Sequence, residues 1–369
     1  MNRAIIDLGA VAHNLHAVRS VLDETVKVMA VIKADAYGHG AVPVAQAVLE
    51  AGADSLAVAT VLEGMELREA QIDAPVQVLN TLLEEEILAA LAHNLILTIP
   101  SDSFAEKLNR AAVRAQKIAR AHCVFDTGMG RKGFPPEDAA AQMSRVVRYS
   151  NIDVEGVYTH FPSAEVERDG FTQKQIRDFK TLLRELEDVG IPFEVGHAAN
   201  SAGILNYPTS HFDMVRPGLL LYGVHPTSAL AGKLAVKPAL RLETRIVFLR
   251  DVSSGTPLGY GRTFTTSTQT KIATLPIGYG DGLPFHLSNN GDVLVRGQRA
   301  PIVGRISMDQ TMIDVGHIAG VEMGETVTLI GVSGNQVITV EEIADRCRVV
   351  PHVVLTGISR RVRREYVTT

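Results

Sequence analysis

The chain has 369 residues, 46% hydrophobic and 21% charged, which suits a soluble globular protein of two domains, or one large barrel with an appendage. Thirty-six Lys and Arg against 41 Asp and Glu leave a net charge of −5, and with no basic block, no Trp and 5% aromatics neither nucleic-acid phosphates nor stacked bases are suitable partners. Cys123 and Cys347 form no CxxC, which excludes a disulfide framework, and no motif suggests a metal site. Asp7 interrupts any leader-like apolar run, and nothing approaches the roughly 18–20 apolar residues of a membrane span, so a reduced cytoplasmic setting away from membranes is expected.

From about residue 26 to about 222, short apolar runs alternate with segments of helical periodicity. The runs fall at 26–32, 55–60, 76–79, 95–99, 122–126, 154–159, 193–197 and 212–216. Gly52 and Gly190 lie where two of the intervening helices should stop. Eight continuous apolar strands, each followed by a helix or a turn that could hold one, predict an α/β fold with a (β/α)8 TIM-type barrel. After about residue 235 the texture becomes β-branched and punctuated by Gly, Pro and Asn, with helix-like material only in VEEIADRC. The expected division is a barrel over 8–232 and a mostly antiparallel β domain over 233–369, joined by residues 1–7.

A barrel places its active site at the C-terminal ends of its strands. Lys33 ends the first strand in an apolar context, where a lysine either snorkels or is paired, or else is used chemically as an amine of lowered pKa. His160 ends the sixth strand, His197, Asn200 and Ser201 the seventh, and Arg216 the eighth. Ser201 and Gly218 follow strands seven and eight, the usual phosphate position of barrel enzymes, which suggests a phosphate-bearing cofactor. GMGRKG at 128–133 matches G-x-G-x-x-G with Asp153 downstream, but it follows the fifth strand and is crowded by Arg131, Pro135 and Pro136. A nicotinamide reading is therefore disfavoured.

AVIKADAYGHG at 30–40 resembles the pyridoxal-phosphate attachment motif of alanine racemases. The resemblance continues in order through DTGMGR (126–131), YTHF (158–161), HAANSAG (197–203), MVRPG (214–218), LYG (221–223), GYG (259–261), PIGYGDG (276–282) and SMDQ (307–310). It implies a racemase that interconverts L- and D-alanine and supplies D-alanine for peptidoglycan. By the resemblance, Lys33 carries pyridoxal 5'-phosphate and serves as one base, while Tyr260 from the second subunit of a homodimer is the other. Tyr37, Ser201, Gly218 and Leu219 would bind the phosphate, with Asn200 beside them. Arg216 would face the pyridine nitrogen, and His160 would link Arg216 to Tyr260. Arg131 and the backbone of Met308 would bind the substrate carboxylate, with Tyr279 at the entrance.

Three other readings compete. A decarboxylase of the same architecture would carry a glutamate where MVRPG has Arg216; a non-catalytic cofactor carrier would lack the segment after 235; and a racemase for serine or a broader amino-acid range would share every motif. One departure from the pattern stands out. Many relatives place a lysine, often carbamylated, two residues before the Asp of DTGMGR, where it braces the substrate-binding arginine. Here that position is Val124. Arg131 then needs another partner, such as an anion, a carboxylate or water, and activity is expected to be independent of a carbamate and insensitive to bicarbonate.

Overall fold

Each of the eight apolar runs becomes a strand, because residues buried on both faces of a parallel sheet need no polar alternation. The computed structural model describes residues 2–369. The barrel strands are β2 (Lys27–Val31), β3 (Ser55–Val58), β4 (Val76–Val78), β5 (Leu97–Ile99), β6 (Ala119–Val124), β7 (Ile152–Tyr158), β8 (Val195–Asn200) and β9 (Met214–Arg216). They pair in parallel in the order β4-β3-β2-β9-β8-β7-β6-β5. A parallel bridge between Gln77 and Ile96 joins the two ends, with Val78 donating to the Ile96 carbonyl and Ile96 to that of Val76, both at 2.8 Å, so the sheet closes.

Helices cover the outside of the barrel. The longer ones are α1 (Leu8–Arg19), α3 (Ala41–Glu50), α4 (Val61–Glu69), α5 (Glu84–Ala92), α6 (Asp102–Ala115), α7 (Ala139–Val146) and α8 (Gly170–Asp188). Gly52 (φ +97°) and Gly190 (φ +71°) take the left-handed conformation just past α3 and α8, as expected of helix-stopping glycines. The short α9 (Ser201–Asn206) follows β8 directly. The remaining element of the barrel is α2 (Lys33–Gly38), a left-handed turn in which Ala34, Asp35, Ala36 and Tyr37 all sit near φ +52 to +55°.

Strand β1 (Arg3–Asp7) leaves the barrel and joins the C-terminal sheet, antiparallel to β10 (Leu240–Arg245) and parallel to β20 (Arg363–Val367). That sheet continues from β10 through β18 (Thr326–Ser333) and β15 (Asp292–Val295) to β16 (Gln298–Pro301). A smaller antiparallel sheet combines β11 (Phe248–Val252), β14 (Thr270–Leu275) and β17 (Thr311–Asp314). VEEIADRC forms α10 (Val340–Cys347) as expected, but a second helix, α11 (Pro351–Gly357), was not foreseen. Pro351 sits at its first turn, where proline lacks no needed N–H, and Leu355 is fully buried against the barrel side. Most buried apolar residues of the barrel and the β domain form one continuous core, and Val252, Leu258, Ile272 and Val303 form a small separate cluster in the β domain.

Candidate active site

The lysine at the end of β2 is held by its surroundings. Thr60 and Glu63 form a capping box at the start of α4, and the same Glu63 carboxylate also accepts from Ala34 N at 2.7 Å and Ala59 N at 2.6 Å. From the other end, Asp35 Oδ1 accepts from Ala41 N at 2.8 Å, and Arg364 Nε of β20 donates to Gly38 O at 3.1 Å. The left-handed turn thus fixes Lys33 at one end and Tyr37 at the other. Burial, then Arg131 and Arg216, lower the Lys33 pKa against the opposing pull of Glu63.

A cavity of about 360 Å³ opens at these strand ends. Lys33, Tyr37, Arg131 and His160 line it, as do Asn200, Ser201, Arg216, Gly218 and Leu219. The structure therefore gathers nine of the residues singled out in the sequence at one place. Sequence reasoning missed Lys132, Tyr158, Thr227 and His352 on the same wall. Lys33, Arg131, Lys132 and Arg216 face a single lining carboxylate, Glu165, so the cavity suits a ligand with several negative charges.

Arg216 is only 4% exposed and is anchored by the strand ends around it. The two hydrogens of its Nη2 are shared among the carbonyls of Thr159 and Ala198, each at 2.9 Å, and His160 Nδ1 at 3.1 Å. Its Nη1 donates to His197 Nδ1 at 2.6 Å. A guanidinium only donates, so His197 must carry its proton on Nε2 and give it to His122 Nδ1, 2.8 Å away. Burial, Arg216 and the second imidazole hold His197 neutral, and burial with Arg120 and Arg216 brings His122 down to about 3. Burial brings Arg216 itself to about 10, still protonated at neutral pH. Its Nε forms no bond to the protein among the described residues.

Opposite lies a cradle built for something small. Ser201 Oγ accepts from Gly218 N at 2.9 Å, which leaves the hydroxyl proton to donate elsewhere. A Cβ at Gly218 would lie 2.7 Å from Tyr37 Oη, so only glycine admits that hydroxyl. Thr227 Oγ1 is buried in the cavity wall with no partner. Asn200 spends its amide on the backbone, accepting from Gly203 N at 3.0 Å and donating to Phe161 O at 3.4 Å, so it orients α9. A phosphate fits this set of hydroxyls, and a lysine-linked carbonyl cofactor fits the amine facing it.

Tyr260, Tyr279 and Met308 lie apart from the cavity. They are 73%, 46% and 53% exposed on the β domain, where Gly280 N donates to Met308 O at 2.8 Å and the Tyr279 ring packs edge-on to Phe285. The 128–133 loop is tied down by Asp126, whose Oδ1 accepts from Gly128 N and Gly130 N at 3.0 Å. It carries Arg131 in the cavity wall, and that guanidinium makes no hydrogen bond to the protein among the described residues. Val124, 3% exposed, lines the wall beneath without offering a side-chain acceptor.

An amine and three further cations at the C-terminal mouth of a (β/α)8 barrel, with a β domain carrying exposed aromatics, define a barrel enzyme for small anionic substrates or cofactors. Residues 6–226 match the family described as alanine racemase, N-terminal domain, and residues 239–366 its C-terminal domain. The alanine racemase of Halothermothrix orenii is 44% identical over 363 residues, covering 98% of this chain and 96% of that protein. That of Methanococcus maripaludis is 41% identical over 365 residues, 98% of each. Among solved structures, alanine racemase from Clostridium difficile 630 superposes with a TM-score of 0.95 at 35% identity, covering 100% and 96% of the two chains. Alanine racemase from Bartonella henselae with covalently bound pyridoxal phosphate gives 0.89 at 29%, covering 100% and 99%. The chain belongs to the alanine racemase family, a family of amino-acid racemases.

Proposed function

We propose that this protein interconverts L- and D-alanine by a two-base mechanism with pyridoxal 5'-phosphate, as a homodimer whose sites are completed across the interface. The observation that carries the reading is the desolvated amine of Lys33 set among cations at the barrel mouth, with Tyr260, Tyr279 and Met308 exposed elsewhere on the same chain. Bound pyridoxal phosphate supplies an electron sink that acidifies the Cα–H of a substrate amine. Racemisation then needs a proton removed on one face of Cα and one delivered on the other. Lys33, its pKa lowered toward the working range, serves one face, and the partner subunit's Tyr260 serves the other. Arg131 binds the substrate carboxylate, with the backbone of the partner's Met308, and the partner's Tyr279 stands at the entrance.

Tyr37, Ser201, Gly218 and Leu219 would hold the phosphate, Gly218 also making room for the Tyr37 hydroxyl. Arg216, which has only donors to offer, would face the pyridine nitrogen and could not protonate it, which would limit side reactions such as transamination. The Arg216–His160 hydrogen bond is the inner half of a link that continues to the partner's Tyr260. The barrel portion is proposed to be residues 8–232 and the β domain 233–369 with 1–7. Two buried free cysteines, Cys123 and Cys347, support a reduced cytoplasmic location, where D-alanine would feed peptidoglycan synthesis.

A panel of L-amino acids in deuterium oxide tests this reading through Cα exchange and inversion. L-alanine should both exchange and invert, and Lys33→Ala should abolish both. Faster inversion of serine than of alanine would shift the assignment to a serine racemase, and absence of exchange with every amino acid would end it.

A further inference from the structure

Lys132 is a second cation beside Arg131 that none of the motifs explains. Its side chain is half-buried in the wall of the cavity, and its Nζ donates to the Leu79 carbonyl at the end of β4. A desolvated ammonium is costly unless it is paired. Among the described residues Lys132 has no ion pair, and neither does Arg131 or the lining Glu165. The charged groups acting on it are cations: Arg131 on its own loop, Lys33 at the end of β2, and Arg216 on β9. With burial they bring its amine down to about 8. Val124, on the same cavity wall, offers no side-chain acceptor to these groups.

We propose that Lys132 is a second carboxylate-binding cation, sharing the α-carboxylate of the amino-acid substrate with Arg131. The proposal rests on the racemase reading above. A carboxylate has about four lone-pair positions and accepts from a guanidinium and an ammonium together; Lys132 spends one of its three donors on Leu79 and keeps two. The substrate thereby becomes the counter-ion of both side chains, and no protein acceptor is needed to brace Arg131. The negative ligand also favours the charged amine, so binding weakens as the solution is made alkaline past about 8.

The test uses holoenzyme and propionate, a carboxylate without an amine, whose Kd is read from its effect on the absorbance of the bound cofactor. Lys132→Leu should raise that Kd and the KM for alanine about tenfold each, with KM carrying the larger share of the loss in kcat/KM. Lys132→Arg should recover most of the affinity, and the alkaline rise in KM should disappear from the leucine variant. Lys132→Met, which keeps an unbranched stem, replaces the leucine variant if that one misfolds. Unchanged Kd and KM, or a loss confined to kcat, overturns the proposal. So does a wild-type sample stripped of carbon dioxide that gains activity on adding bicarbonate, because Lys132 must act as a free ammonium. Wild-type enzyme that binds propionate without racemising alanine would instead overturn the function and leave the carboxylate site standing.

Discussion

A methyl group at position 218 would come within 2.7 Å of the Tyr37 hydroxyl, closer than real side-chain contacts allow. Gly218→Ala should therefore displace that hydroxyl and remove the hydrogen bond proposed from it to the phosphate. Such a charge-assisted bond is worth roughly 1.5–3 kcal/mol, so the Kd for pyridoxal phosphate should rise about 10- to 100-fold in an absorbance titration of the apoprotein. An unchanged Kd would remove Tyr37 from the cradle. Residues such as Lys33, His197 and Arg216 were legible in the sequence because a charged or polar side chain ending a buried apolar strand has few inexpensive uses. Lys132 and Thr227 were not, since they lie in loops where polar residues are ordinary and only the closed barrel shows which of them face inward. Val124 was legible as a departure, but the second cation beside it became meaningful only with Leu79 and Lys33 placed around it.

Among the elements, the turn α2 departs furthest from intrinsic preference. Four consecutive non-glycine residues sit in the left-handed region, where each costs roughly 1–2 kcal/mol. No propensity rule would predict it; the contacts of Glu63, Asp35 and Arg364 override local preference. Ala34 is exposed, so Ala34→Gly relieves its strain while sacrificing little packing. The variant should gain about 1 kcal/mol of stability, seen as a higher midpoint in urea unfolding. A lower midpoint would mean that the turn is not strained at Ala34. The strands, by contrast, followed directly from their apolar runs, to within a few residues at each end. Helix α11 escaped notice because Val353 and Val354 are weak helix formers, and its reason for being helical is tertiary: Pro351 starts it and buried Leu355 secures it.

At the scale of the whole molecule, burial keeps several imidazoles neutral. His39 is pushed down to about 4 by burial, His352 to about 4 by burial and Lys33, and His122 to about 3, with His160 and His197 also well below the ordinary 6.5. Well above pH 6.5 these groups are neutral in both folded and unfolded chains and contribute no pH dependence. Between 6.5 and about 4 the unfolded chain takes up protons that the folded chain refuses, so stability falls with acidification by up to about 1.4 kcal/mol per pH unit for each imidazole. Urea unfolding at pH 7 and pH 5 should differ by at least about 3 kcal/mol, and His39→Phe should flatten the slope by about one proton. A stability that is level between those pH values would contradict the neutral assignments. The succession of a parallel barrel and an antiparallel sheet was readable from the change in texture, and the departure of β1 into the C-terminal sheet from its position ahead of the first helix. The proposed sharing of a site between two copies has no signal in the periodicity, since the exposed Tyr260 belongs to a surface with no pattern of its own. The most direct measurement is the activity of a purified heterodimer that pairs a Lys33→Ala subunit with a Tyr260→Phe subunit, each carrying a different affinity tag. Shared sites leave one of its two sites with both bases, so about half the wild-type racemisation rate is expected while both variant homodimers are strongly impaired. A heterodimer as impaired as its parents would contradict a site built from two subunits.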